Sequence, residues 1–174
     1  MSGNAAEALF RPVFAHLGAV TAYARRRGSA DPEGVAAEVM TIAWRRLNDV
    51  PRDDPRPWLY ATARNLVWAE ARRANRAARH PVHEPDAGAA PELFELDPEL
   101  ADALRALSPA DREALLLVAW EELTPSQAAK ALGINATAFR VRLLRARRRL
   151  AARLADPSAD GPAARLALAD VEGA

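Results

Sequence analysis

The stretch "TPSQAAKALGINATAFRVRLLRARRRL", residues 124–150, decides the fold. Thr124 followed three residues later by Gln127 is a capping-box pattern, which predicts the start of a helix. Gly133 permits the left-handed turn that ends this helix, and Asn135 can cap a longer helix behind it. A short capped helix, a tight turn and a longer second helix together predict a helix-turn-helix.

The longer helix of this motif carries an apolar stripe between two basic flanks. The stripe, which is predicted to face the core, consists of Phe139, Leu143, Ala146 and Leu150. The flanks consist of Arg142, Arg145 and Arg149 on one side and of Arg140, Arg147 and Arg148 on the other. Because so many like charges repel one another, the pattern favours phosphates as their partners, the alternative being a helical hairpin with a solvated basic surface.

The position of each basic residue along the helix predicts its contact with DNA. Arginine is the commonest bidentate reader of guanine, and the N-terminal residues of a recognition helix contact base edges. The predicted base readers are Thr137, Arg140, Val141 and Arg142. Farther along, phosphate contacts are predicted for Arg145, Arg147 and Arg148.

Charge is strongly segregated along the chain of 174 residues, although the formal net charge is only +1. Residues 126–153 contain eight bases and no acid, and residues 52–79 contain seven arginines against three acids. Between these blocks, residues 81–102 contain seven acids and neither Lys nor Arg. Two basic blocks around an acidic one favour a polyanionic partner, although solvated faces in an arginine-rich chain would account for part of the bias.

Several function classes lack their sequence signals. No run approaches the roughly 18 apolar residues of a membrane span, and the N-terminus has no signal pattern. Without cysteine there is neither a disulfide framework nor a thiolate metal site. The one close histidine pair, His80 and His83, lies in a proline-rich segment, and no phosphate loop or nucleophile motif occurs. We therefore predict a cytoplasmic protein that is not an enzyme and has no cofactor, metal or membrane partner.

The organisation predicted from these patterns is all-α, with two small helical domains joined by a flexible acidic linker. Helices are predicted over residues 5–27, 32–47 and 57–79, with Asp31 as a cap, and another helix begins behind Ser108. The predicted divisions are an N-terminal domain over 1–80, the linker over 81–100, the helix-turn-helix domain over 101–154 and a disordered tail over 155–174.

The second basic block interleaves arginines with aromatic residues. Its aromatic members are Trp58, Tyr60 and Trp68. Its polar and basic members are Arg64, Asn65, Arg72, Arg73 and Arg76. This mixture suits single-stranded nucleic acid, because bases stack on rings while arginines follow the backbone, although each ring taken separately is typical of core packing.

Four segments in this order resemble an extracytoplasmic-function sigma factor, a small two-domain member of the sigma-70 family of bacterial transcription initiation subunits. They read "EVMTIAWRRLNDVP", "RPWLYATARNLVWAEARR", "LSPADREALLLVAWEELTPSQAAKALGI" and "AFRVRLLRARRRL". The resemblance covers roughly residues 8–153 and implies sigma region 2 in the first domain and region 4 in the second. It also implies that core RNA polymerase and promoter DNA are partners, with an anti-sigma factor as a further candidate.

The resemblance implies roles for particular residues. Residues 32–47 match the helix that docks on the clamp coiled coil of the largest polymerase subunit, and region 4 implies a contact with the polymerase flap. The implied clamp contacts are Asp31, Glu38, Trp44 and Arg45. The implied −10 residues are Trp58, Arg64, Asn65, Trp68, Arg72, Arg73 and Arg76, with Asn65 near the flipped base. The final helix matches the reader of the −35 element.

One departure and one rival interpretation accompany the resemblance. Where family members carry an acidic pair before the clamp helix, this chain has Glu33 followed by Gly34, which puts one polymerase contact in doubt. The rival is a helix-turn-helix regulator that binds a palindromic duplex without polymerase. Such a regulator would lack both the basic aromatic block and the clamp helix.

Overall fold

A computed structural model describes residues 3–77 and 97–155, and within these ranges it contains eight α-helices and no strand. The predicted all-α class is therefore confirmed. The helices of the N-terminal unit are α1 (Gly3–Phe14), α2 (Leu17–Arg26), α3 (Pro32–Arg45) and α4 (Arg56–Ala77). The helices of the C-terminal unit are α5 (Pro98–Arg105), α6 (Pro109–Ala119), α7 (Pro125–Leu132) and α8 (Ala136–Ala155).

Local capping signals begin the helices where the sequence predicts them. The Asp31 carboxylate accepts a hydrogen bond from the Gly34 N–H at 2.9 Å, and the Ser108 hydroxyl caps α6 in the same manner. Thr124 forms the complete capping box that starts α7. Each of these bonds satisfies an amide that would otherwise lack a partner at the helix start.

The helix-turn-helix is formed by α7 and α8. Gly133 ends α7 with a φ of 66°, a left-handed conformation that glycine adopts without strain. Asn135 then caps α8 by accepting from the Ala138 N–H at 2.7 Å. Of the apolar stripe, Phe139 and Leu143 are buried against α6 and α7, as the helical spacing predicts.

The prediction of one long helix over residues 5–27 is wrong, because the chain forms α1 and α2 instead. Pro12 has no N–H and removes one bond from the end of α1. The His16 N–H then bonds the Val13 carbonyl at 3.1 Å in a tighter turn. The break allows α1 to lie on α3 through Phe10 while α2 packs against both α3 and α4.

The two units pack against each other along what we call the seam, where α4 meets α7 and the end of α2 meets α6. Their buried apolar residues form one cluster that includes Leu59 of α4 and Leu123 before α7. Of the predicted linker, residues 98–100 begin α5, and residues 81–96 lie outside the described residues, as do residues 78–80 before it. The predicted disordered tail also lies outside them from residue 156 onward.

Candidate nucleic-acid interface

One face of α8 forms a depression, the α8 basin, at the C-terminal unit. Its lining is Asp111, Asn135, Thr137, Ala138, Val141, Arg142, Arg145 and Arg149. Thr137, Val141 and Arg145 are exposed, and Arg142 is half-buried. Because the start of α8 also opens on the basin, its free amide ends add positive potential to that of the arginines.

The seven predicted −35 residues therefore fall into two groups. Thr137, Val141, Arg142 and Arg145 are brought together in the basin. Arg140, Arg147 and Arg148 are exposed but do not line it. A duplex whose groove lay over the basin would meet the first group at its centre and the second group at its edge.

Sequence reasoning missed a carboxylate in this basic surface. Asp111, in the first turn of α6, is 5% exposed and accepts a hydrogen bond from the Arg149 guanidinium. The side chain of Arg149 remains 59% exposed. The pair crosses from α6 to α8, so no local sequence signal could have revealed it.

The basic aromatic block lies on α4, where the side chain of Arg64 stacks on that of Trp68. The Arg64 guanidinium lies 3.4 Å from the centroid of the Trp68 ring, which is a cation–π contact. Burial lowers the pKa of Arg64, and the charge of Arg142 across the seam adds to that lowering. Within the described residues the Arg64 Nε is buried and has no hydrogen-bond partner.

The other residues of the basic aromatic block differ in exposure. Exposed side chains are those of Asn65, Arg72, Arg73 and Arg76. Trp58 is half-buried and packs on the core, whereas Tyr60 is 4% exposed in the seam. The structure thus leaves a basic exposed edge on α4 and assigns the packing role to two of the three aromatic residues.

The predicted polymerase-binding residues all lie at the surface, on or just before α3. Asp31, Glu38, Trp44 and Arg45 are exposed. Two residues that the sequence did not single out extend this surface. The Phe10 ring meets the Trp44 ring edge-on at 5.1 Å, and Phe14, which is 50% exposed, lies 5.9 Å from Phe10.

The departure at residues 33 and 34 lies in the first turn of α3. A Cβ atom built on Gly34 would lie 2.0 Å from the Asp31 Oδ2, so a larger residue there would require the capping carboxylate to shift. Glu33 forms an exposed ion pair with Arg25 at 2.8 Å. Glu33 is therefore the one acidic side chain of this pair of positions, and it is already paired.

The described residues contain no candidate metal site and no candidate membrane span. No group of three His, Asp or Glu side chains comes together there as a metal site would require. None of the helices in residues 3–77 and 97–155 is long and apolar enough to cross a membrane.

One family model and several solved structures are similar to this chain. Residues 98–150 match the family model for sigma-70, region 4. CnrH, solved in complex with the cytosolic domain of CnrY, is 30% identical; the match covers 84% of this chain and 88% of that chain, with a TM-score of 0.59. The sigma factor RpoE from Bartonella quintana, solved with the anti-sigma factor NepR, is 21% identical over 86% of this chain and 98% of that chain, with a TM-score of 0.63. No curated protein sequence matches the chain.

Proposed function

Since the chain belongs to the extracytoplasmic-function group of the sigma-70 family, we propose that it binds core RNA polymerase and directs it to specific promoters. A sigma factor performs no chemistry of its own, because the polymerase it joins makes the RNA. The observation that carries the proposal is the exposed basic face of α8 within the region 4 match.

The −35 element is assigned to the α8 basin. Arg142 can make a bidentate contact with a guanine edge, and the exposed methyl groups of Val141 suit a thymine methyl group. Arg147 and Arg148, on the outer flank, are placed for phosphates on the groove wall. This division supports base reading at the centre and positioning contacts at the edge.

The −10 element is assigned to α4. Asn65 is exposed and able to hydrogen-bond a base that has left the stack, and three exposed arginines follow it along the helix. The Arg64–Trp68 stack offers a flat cationic surface beside Asn65. Together these groups suit a melted strand better than a closed duplex.

The polymerase contact is assigned to α3 and its neighbour α1. An exposed Trp44 between Glu38 and Arg45 combines an aromatic anchor with charges of both signs, which is typical of interface centres and rims. By analogy with the family, the clamp coiled coil is the partner of this surface, and the polymerase flap is the partner of the C-terminal unit. Because CnrH was solved with CnrY and RpoE with NepR, we also propose an anti-sigma partner.

Transcription in vitro tests the proposal directly. Core polymerase from a high-GC bacterium, this protein and a genomic promoter library should produce new start sites that share −35 and −10 sequences. Arg142→Gln should reduce these starts, whereas Arg105→Gln, the same charge change on exposed α5 surface, should leave them unchanged. Absence of new starts together with duplex binding by the protein alone would refute the proposal in favour of a regulator that acts without polymerase.

A further inference from the structure

A carboxylate on α4 holds the loop that joins α2 to α3. The Glu70 Oε2 accepts a hydrogen bond from the Ser29 hydroxyl at 2.8 Å, and the Glu70 Oε1 accepts one from the Ala30 N–H at 2.9 Å. Glu70 and Ser29 are 41 residues apart in the sequence, so only the fold brings them together. Both oxygens of this side chain are therefore bonded to the loop.

The contact continues into the cap of α3. The Ser29 Oγ also accepts from the Asp31 N–H at 3.2 Å, and the Asp31 carboxylate accepts in turn from the Gly34 N–H at 2.9 Å. One hydroxyl group can donate to Glu70 and accept from Asp31 at the same time, because it has one hydrogen and two lone pairs. A chain of hydrogen bonds thus leads from the middle of α4 to the first turn of α3.

The loop depends on directional bonds more than on burial. On the side of α2 it is held by the Ser29 N–H, which bonds the Ala24 carbonyl at 3.1 Å. On the side of α4 it is held by Glu70. Ala30 and Asp31 are exposed, so the hydrophobic effect contributes little to the conformation of the loop at these positions.

The charge of Glu70 stands out on its helix. α4 contains five arginines, and Glu70 is its one acidic residue. A carboxylate on a helix that approaches phosphates repels them unless its charge is engaged elsewhere. The half-buried Glu70 accepts two charge-assisted hydrogen bonds from the loop, and such bonds are roughly twice as strong as neutral ones. The loop, and not the −10 strand, explains why an acid stands within the basic aromatic block.

We propose that Glu70 is a positioning residue for the binding of core polymerase: from the −10 helix it holds the start of α3 in the conformation that binds. This inference rests on the proposed function, in which Asp31 and the exposed residues of α3 form the polymerase contact. Glu70 acts through Ser29 and Asp31, and not by touching the polymerase. Without its bonds the loop and the first turn of α3 sample other conformations, and the apparent affinity falls with the fraction that stays competent.

Competition for core polymerase tests the proposal. Unlabelled variants displace fluorescently labelled wild-type protein from the core enzyme, and the anisotropy gives their dissociation constants. Glu70→Ala removes both acceptors and should weaken binding by about tenfold, as expected if about a tenth of the molecules stays competent. Glu70→Gln keeps one acceptor oxygen and has an amide that can donate to the Ser29 Oγ, so it should bind within about threefold of wild type. Equal affinity of Glu70→Ala and wild type would overturn the proposal.

Ser29→Ala removes one of these bonds from the side of the loop. It should also weaken binding, and adding it to Glu70→Ala should weaken binding further by no more than about twofold, because both changes interrupt one chain of bonds. Losses that multiply in full would overturn the proposal, since Glu70 would then act independently of Ser29. The matched control Glu99→Ala removes an exposed carboxylate from α5 and should leave the affinity unchanged. A loss in this control as large as that in Glu70→Ala would also contradict a specific role for Glu70.

Transcription at two protein concentrations separates this role from one at the promoter. At a limiting concentration Glu70→Ala should yield fewer transcripts, and at a saturating concentration it should reach the wild-type level, because Glu70 contacts no DNA in this role. A deficit that persists at saturation would overturn the proposal in favour of an action on the −10 strand.

Folding of each variant is checked by circular dichroism at the assay temperature. If Glu70→Ala unfolds, the smaller change Ser29→Ala decides, and an unchanged affinity in that variant would overturn the proposal. Failure of the wild-type protein to bind core polymerase would refute the proposed function and this inference with it. Binding by the wild type with equal affinities in the variants would refute only the role of Glu70.

Discussion

Replacing Asp111 with asparagine should release an additional phosphate contact on α8. The buried Asp111 carboxylate accepts from Arg149, whose half-exposed side chain lies in the same basin as Arg142 and Arg145. While this pair holds, the guanidinium charge of Arg149 is already neutralised. An amide of the same shape removes the neutralising charge and retains a weaker hydrogen-bond acceptor, so Arg149 becomes available to DNA.

The magnitude follows from counterion release. Each phosphate contact steepens the slope of log K against log salt by about 0.9, so the slope for the Asp111→Asn protein should be steeper than the wild-type slope by about 0.9. Between 0.05 and 0.2 M salt, this difference corresponds to an additional affinity loss of about 3.5-fold. The stability of the protein should change by no more than about 1 kcal/mol, because one partner of the ion pair is well exposed.

The assay is fluorescence anisotropy of a labelled duplex titrated at several salt concentrations. A duplex of arbitrary sequence suffices, because the phosphate term is independent of sequence. Arg149→Ala should leave the slope at the wild-type value, and the double variant with Asp111→Asn should return to it. An unchanged slope in Asp111→Asn, or a slope shallower by about 0.9 in Arg149→Ala, would refute the reasoning, since Arg149 would then already be bound to a phosphate.

Three further outcomes are expected. Arg142→Ala should relax sequence preference in selections from randomised −35 duplexes, whereas Arg148→Ala should weaken binding evenly. Equal shifts in preference would contradict the separation of readers from phosphate contacts. Phe139→Ala should reduce the free energy of unfolding, measured in urea, by about 3–5 kcal/mol, because the ring is 0% exposed. A reduction below about 1 kcal/mol would contradict the packing of this ring in the core. Burial, with the charge of Glu121 adding to it, raises the pKa of Tyr60 to about 12. The phenol of the unfolded chain therefore ionises first, near pH 10, and the free energy of unfolding should fall by up to about 2 kcal/mol as the pH rises to about 12. Tyr60→Phe should reduce that fall, and the same pH profile in the variant and the wild type would contradict the prediction.

Much of the helix-turn-helix was accessible to prediction because its signals are local. Thr124, Gly133 and Asn135 lie within a few residues of the amides or the turn that they serve, so composition and spacing identify them. The stripe led by Phe139 follows from the helical period alone. The prediction of one long first helix was wrong because it followed the apolar period alone and left out the hydrogen bond that Pro12 removes from the end of α1.

The sequence by itself determined the helix-turn-helix, the caps, the apolar stripe and the segregation of charge, since these depend on neighbours within one or two turns. Only the tertiary structure decided that Asp111 binds Arg149 and that Arg27 is buried against Glu113. A chain with 24 bases and 23 acids allows a very large number of ion pairs, all of the same chemistry. Helical periodicity identifies which face of a helix is buried, but the partner of that face is chosen by packing between elements distant in sequence.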